Sequence, residues 1–141
     1  MAGLPDAALR ERNLHCLVVE DNPTNQFVIT LFLRKLGVGH EIVSRGAEAL
    51  AVFAAGRFDA VLMDIEMPLL DGYDTTRELR RREALLSKPR TPIIALSADA
   101  MPDSRRRAHE AGMDAFLTKP IAMDALHGTL LSLVTAPLPV A

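Results

Sequence analysis

Five short apolar runs recur along the chain: "LHCLVV" (14–19), "HEIVS" (40–44), "DAVLM" (59–63), "TPIIALS" (91–97) and "DAFLT" (114–118). Between and after them, apolar residues repeat at helical spacing over 23–36, 46–55, about 72–86, 102–111 and 121–134. Gly37, Gly39, Gly56, Gly72, Gly112 and several prolines punctuate the two kinds of segment. Strand and helix thus alternate five times, which predicts a parallel sheet covered on both faces. "LHCLVV", "AVLM" and "IIAL" are continuously apolar rather than alternating, as strands buried on both faces are. The first helix opens with "DNPTNQ", where Asn22 suits the cap and Pro23 the first helical position, at which a missing N–H costs nothing.

The same helix carries a second apolar feature. At roughly 100° per residue, Ile29, Phe32, Leu33 and Leu36 form one stripe, with Val28 at its edge, and that stripe is expected to face the sheet. Phe27 and Leu31 fall on nearly the opposite side, where a surface helix is normally polar. An apolar pair there reads as part of a contact patch.

Composition narrows the class without naming a chemistry. The 141 residues suit one domain with a real core, and 49% apolar with 24% charged residues is ordinary for a soluble globular chain. A net charge of −2 gives no electrostatic case for nucleic acid. Cys16 is the only cysteine, so no internal disulfide forms; a small core residue in a reducing compartment is the expectation. No run approaches the roughly 18–20 apolar residues of a membrane helix, and "MAGLPDAALRERN" lacks the apolar stretch of a signal peptide. Direct membrane contact is not expected, and a cytoplasmic location is. The expected division is a leader or linker over 1–12, one domain over 13–134 and a proline-containing tail over 135–141.

The candidate chemistry lies where the strands end. In an open parallel sheet, binding sites form outside the carboxyl ends of the strands. Asp64 lies at such an end, as do Glu20 and Asp21 after "LVV", Ser97 after "IIAL" and Lys119 after "AFLT". Three carboxylates pushed together raise at least one pKa unless a cation intervenes. An oxygen-only donor set suits a hard ion such as Mg²⁺, and the absence of histidine or cysteine from it disfavours zinc. No GxxxxGK[ST] phosphate loop occurs. A carboxylate beside Mg²⁺, an ammonium and a hydroxyl is arranged to attack a phosphoryl group, and aspartate can serve as that nucleophile. On this reading Asp64 is exposed at the rim because it is the acceptor.

"VVEDNPTNQ", "DAVLMDIEMPLLDG", "PIIALSADA" and "FLTKP", in this order and spacing, resemble the receiver domain of two-component response regulators. "EDNPTNQ" and "MDIEMPLLDG" are especially similar to receivers of hybrid sensor histidine kinases. The likeness spans about residues 13 to 134 and implies a flavodoxin-like (βα)₅ fold, a doubly wound five-stranded parallel sheet with strand order 2-1-3-4-5. It implies Asp64 as phosphoacceptor, Glu20 and Asp21 as the acidic Mg²⁺ pocket, the Glu66 carbonyl as a further metal ligand, and Lys119 as the phosphoryl-contacting lysine. Ser97 takes the switch-hydroxyl position and Phe116 the switch-aromatic position, and Lys119–Pro120 is expected to be cis. The switch aromatic is Phe, which signals by packing alone, and the hydroxyl is Ser, which lacks the χ1-restricting methyl of Thr. Glu66 and Asp99, two positions after the acceptor and the switch hydroxyl, are candidates for tuning how water reaches the phosphoryl group. Phe27 and Leu31 fall where related receivers dock kinase or histidine phosphotransfer domains.

The implied partner is a histidine kinase or histidine phosphotransfer domain, and the implied state a monomer or weak phosphorylation-dependent dimer. The isolated domain is not expected to be an enzyme beyond assisting its own aspartyl phosphorylation and dephosphorylation. If it belongs to a hybrid protein, the parent would be a histidine kinase, and a membrane-anchored one is compatible with the cytoplasmic location expected of this domain. Two rivals from other classes are a Mg²⁺-dependent phosphatase or phosphotransferase and an interaction module that has lost phosphorylation. The triple arginines in "RELRRRE" (77–83) and "SRRRAHE" (104–110) are expected on solvated helical faces. The four scattered histidines are expected to be structural or surface residues, and Met63 and Met67 to pack beside the expected acceptor.

Overall fold

A computed structural model describes residue 9 and residues 12–135, the last without its side chain. Five strands, β1 (His15–Val19), β2 (Gly39–Val43), β3 (Ala60–Asp64), β4 (Ile93–Ser97) and β5 (Ala115–Thr118), alternate with five helices. These are α1 (Pro23–Leu36), α2 (Gly46–Ala55), α3 (Gly72–Leu85), α4 (Pro102–Ala111) and α5 (Met123–Thr135). All four strand pairings are parallel and the order is β2-β1-β3-β4-β5, as the sequence implies. Most of the expected leader and all of the tail beyond 135 lie outside the described residues. Leu9, within the segment expected as a leader, is fully buried beside Leu14 and Leu36 in one core cluster.

The continuously apolar strands divide by alternation between two cores. Leu17, Val19, Val61, Met63, Ile93 and Ala95 face α2, α3 and α4. Cys16, Val18, Leu62, Ile94, Leu96 and Leu117 face Ile29, Leu33 and Leu36 of α1 and Leu126 and Leu130 of α5. Each fully buried leucine or isoleucine contributes about 1.5–3 kcal/mol, so the double cover explains both the fold and the lack of polar alternation. Burial pushes the Cys16 thiol up to about 12, with the Asp59 charge adding to it, which fits a small inert core residue. Met63 and Met67 are buried core residues as expected. Asn22 caps α1, its Oδ1 accepting from Asn25 N–H at 3.1 Å ahead of Pro23.

The arginines of 104–110 lie on an exposed face as expected, with Arg106 paired to Glu110, but the run at 77–83 is only partly solvated, which corrects the expectation there. Arg81 and Arg82 do pair with Glu78 at the surface of α3. Arg80, by contrast, points inward and donates to the carbonyls of Gly112 and Thr91 and to the carboxylates of Glu83 and Asp114, all within 3.0 Å. Asp114 also accepts from Arg90 and from Ile93 N–H, so one guanidinium staples α3 to the start of β4 and to the α4–β5 turn. Gly112 fits this staple: its φ is +106°, and a Cβ there would lie 2.9 Å from the Arg80 side chain. On α4, Arg105 lies over the Phe116 ring at 4.6 Å and Arg107 over the Tyr73 ring at 4.5 Å. Hydropathy periodicity treats every arginine as polar and cannot separate a solvated guanidinium from one that spans two elements.

Removing one partner from a buried ion network leaves the other charges uncompensated and costs about 3 kcal/mol. Arg80→Ala should therefore lower the urea unfolding midpoint strongly, whereas Arg81→Ala on the same helix should leave it in place.

Candidate functional site

β3 ends on Asp64, whose backbone pairs in register with Leu96 of β4. The expectation of an exposed carboxylate is overturned, because Asp64 is fully buried. Its charge is held by protein instead of water: Lys119 Nζ donates to Asp64 Oδ1 at 2.9 Å, and Glu66 N–H donates to the same oxygen at 3.1 Å. Among the described residues Asp64 Oδ2 has no hydrogen-bond partner. Lys119 Nζ also lies 3.0 Å from Glu20 Oε1, so one ammonium faces two fully buried carboxylates.

Glu20 is fixed from several directions. Its Oε2 accepts from Asn22 N–H at 3.0 Å, and its carbonyl accepts from Gln26 Nε2 at 2.6 Å. Gln26 also reaches Ser44 Oγ at 3.1 Å, tying α1 to the end of β2. Within "EDNPTNQ", the motif alone assigns Gln26 no task. Its position one turn beyond the Asn22 cap, facing back toward β1, is the signal that could have found it. Asp21 is exposed, and carboxylate oxygens of Glu20, Asp21 and Asp64 all lie within 4.8 Å of one another.

The electrostatics are strained in one direction. Desolvation raises the Asp64 carboxyl to about 7 and the Glu20 charge adds to it, against the opposing Lys119 contact. Burial works to lower the Lys119 ammonium, but its hydrogen bonds to Asp64 and Glu20 outweigh that and hold it raised. Two carboxylates and one ammonium leave a net negative charge in a closed site, and an all-oxygen set with an unpartnered Oδ2 fits a hard divalent cation.

The opposite wall comes from β4. Ser97 is almost fully buried, and its Oγ donates to Glu66 Oε2 at 2.6 Å. The Asp99 carbonyl lies farther from that hydroxyl, at 3.2 Å, and the single proton belongs to the shorter, charge-assisted bond. Ala98 N–H donates to Glu66 Oε1 at 3.1 Å. Asp99 turns away: its carboxylate accepts from Met101 N–H and Ser104 Oγ, contacts that shape the β4–α4 loop and hold its carboxyl below the usual range. Lys119–Pro120 is cis, as the resemblance implies. Phe116 is half-buried beneath Arg105, and Phe27 and Leu31 are exposed on α1, at 64% and 39%.

Gly72 opens α3 directly against the end of β3. Its N–H donates to the Ile65 carbonyl at 3.0 Å, and a Cβ at this position would lie 2.3 Å from the Asp64 carbonyl oxygen and 2.7 Å from Ile65 Cα. Only a residue without a side chain lets α3 start this close to the end of β3.

The architecture agrees with the comparisons. Residues 16–131 match the family model of the response regulator receiver domain, and the chain belongs to that family. It is therefore a receiver domain of two-component signalling. It is 37% identical over 118 residues to the sensor histidine kinase GacS of Pseudomonas protegens, covering 84% of this chain and 13% of GacS. The chain thus spans a small part of the curated relatives it matches. Among solved structures, it shares 40% identity and a TM-score of 0.79 with the receiver domain of sensor histidine kinase PA1611 from Pseudomonas aeruginosa. That match covers 88% of this chain and 99% of the other, which was crystallised with a magnesium ion coordinated in its active-site cleft. The receiver domain of Saccharomyces cerevisiae Ssk1, solved in complex with the histidine phosphotransfer protein Ypd1, aligns at 28% identity with a TM-score of 0.81, covering 85% of this chain and 88% of that one. Among the described residues no helix is long and apolar enough to cross a membrane.

Two outcomes follow from this geometry. Because the folded-state Asp64 pKa lies above its unfolded value near 3.9, its contribution to stability is present at low pH and lost as pH rises through about 7. In metal-free buffer at pH 8, Asp64→Asn should therefore raise the unfolding free energy, read from urea denaturation, by about 1–2 kcal/mol, the usual cost of an ill-satisfied buried polar group. The gain should narrow at pH 5. Gly72→Ala should lower the unfolding free energy, by the same measurement, by about 1–3 kcal/mol through overpacking against main chain.

Proposed function

We propose that this receiver domain takes a phosphoryl group from a partner phosphohistidine onto Asp64 and changes its affinity for a partner in response. What carries the reading is the buried Asp64 carboxylate with Oδ2 unpartnered and Oδ1 held by Lys119. A carboxylate oxygen of Asp64 forms the new P–O bond while the P–N bond to the imidazole breaks, its electron pair returning to the ring nitrogen. Lys119 stays beside the reacting carboxylate and offsets charge on the transferred group.

Glu20, Asp21, Asp64 and the Glu66 carbonyl would hold Mg²⁺, which when bound neutralises charge on the phosphoryl oxygens. Ser97 supplies the hydroxyl that meets the phosphoryl group, and its displacement is passed to Phe116, whose strand neighbour in register is Ala95 of β4. With no phenolic hydroxyl, Phe116 reports the change only through packing. Phe27 and Leu31 supply the apolar part of the surface on which the phosphohistidine domain docks. Four cavities lined by described residues do not include Asp64, so none of these four favours the phosphatase reading.

Incubation with a small phosphodonor and Mg²⁺ should add one phosphoryl group to the wild type by intact mass and none to Asp64→Ala, and a chelator should abolish the gain. Phe27→Glu with Leu31→Glu should slow transfer from a phosphorylated histidine phosphotransfer domain at least about tenfold, the equivalent of about 1.4 kcal/mol. The small donor should react with that variant at the wild-type rate, and equal slowing with both donors would remove the docking assignment.

A further inference from the structure

Glu66 does more than lend a carbonyl. It follows the acceptor by two residues, and its N–H already donates to Asp64 Oδ1. Its side chain then folds back across the site, where each carboxylate oxygen takes a different donor: Oε2 from Ser97 Oγ at 2.6 Å and Oε1 from Ala98 N–H at 3.1 Å. Both donors stand immediately beyond Leu96, the residue that pairs with Asp64 in the sheet. A planar anion spanning a hydroxyl and an adjacent amide occupies two donors with two oxygens, as two oxygens of a phosphoryl group on Asp64 would.

We propose that Glu66 is an internal competitor for the phosphoryl group: its carboxylate saturates Ser97 and Ala98 and latches the β4–α4 loop in the unphosphorylated arrangement. This rests on Asp64 as the acceptor. Ser97 has one hydroxyl proton and cannot donate to two anions at once, so Ser97 turns to the phosphoryl group only when Glu66 leaves. Like-charge repulsion from the newly placed phosphoryl oxygens drives the departure. The remainder of the loop is already fixed by Asp99, which holds Met101 N–H and Ser104 Oγ, so releasing one clamp moves a preformed unit. Chain length matters: aspartate would fall one methylene short of both donors, and glutamine keeps a single acceptor oxygen with no charge.

The test combines a structural and a kinetic reading on the intact chain. In the unphosphorylated protein, Glu66→Ala should speed hydrogen exchange at the Ala98 amide about tenfold, as expected for losing one charge-assisted bond. An unchanged Ala98 amide overturns the latch. With acetyl phosphate and Mg²⁺, Glu66→Ala should be phosphorylated about tenfold faster than wild type, and Glu66→Gln should fall between them. The gain should shrink to within about twofold when Ser97→Ala is already present, because the proton in competition is gone. An equal acceleration in both backgrounds would mean that Glu66 acts by general repulsion of the donor, and the latch fails. If Asp64 takes no phosphoryl group in any variant while the Ala98 amide still responds, the acceptor reading itself is what has failed, and the competitor role goes with it.

Discussion

Two buried carboxylates held against one ammonium are the constraint on which the rest of this molecule turns. Glu20 follows β1, Asp64 ends β3 and Lys119 follows β5, and the strand order brings them together because β2 is laid on one side of β1 and β3 to β5 on the other. The chain reverses its winding between β1 and β3, so the loops leaving those two strands part and open a crevice. Burying a charge costs several kcal/mol unless it is paired. Lys119 pairs with both acids but balances only one. The surplus negative charge costs the site stability, and a divalent cation of the kind proposed to bind there would offset it.

The same constraint explains why so much backbone is committed around the site. Glu20 is anchored by Asn22 and Gln26, and Asp64 by Glu66 N–H. Gly72 allows the start of α3 to press directly on the peptide that follows Asp64. A carboxylate whose ionised form is disfavoured by burial would drift toward water if its surroundings were soft. Here the main chain on either side of it is pinned, so the strain persists as a raised pKa and does not relax into exposure.

Much of this was legible in the sequence, for identifiable reasons. α1, α2 and α4 have the boundaries that periodicity and turn residues predict, because Asn22–Pro23, Gly37, Gly56, Pro102 and Gly112 are local signals needing no tertiary information. The strand order followed from the resemblance, and the convergence of Glu20, Asp21, Asp64, Ser97 and Lys119 from their shared position at strand ends. What did not follow was where flexible side chains go. Asp64 reads as a rim residue until the lysine that closes over it is placed, and Glu66 reads as a solvated loop acid until β4 brings Ser97 and Ala98 opposite. Arg80 is one of three consecutive arginines, and only the fold shows that it is the one turned toward Asp114. These contacts join residues more than 30 positions apart, beyond the reach of any window of helical or strand periodicity.

α4 shows how such contacts bear on switching. The residues it buries are Ser104, Ala108 and Ala111, whereas α1 buries Ile29, Leu33 and Leu36. A buried CH₂ is worth about 0.8 kcal/mol, so α4 is attached by far less apolar area than α1. The deficit is made up in part by arginine: Arg105 covers Phe116 on β5 and Arg107 covers Tyr73 on α3, each contact worth about 0.5–1 kcal/mol at exposed sites. Stacks of this kind are shallow and tolerate sliding, unlike interdigitated leucines, whose packing admits few alternatives. The loop bound by Glu66 thus leads into a helix that is held to the core less deeply than α1, and under the function proposed for Asp64 it is the helix that a change at the site would move.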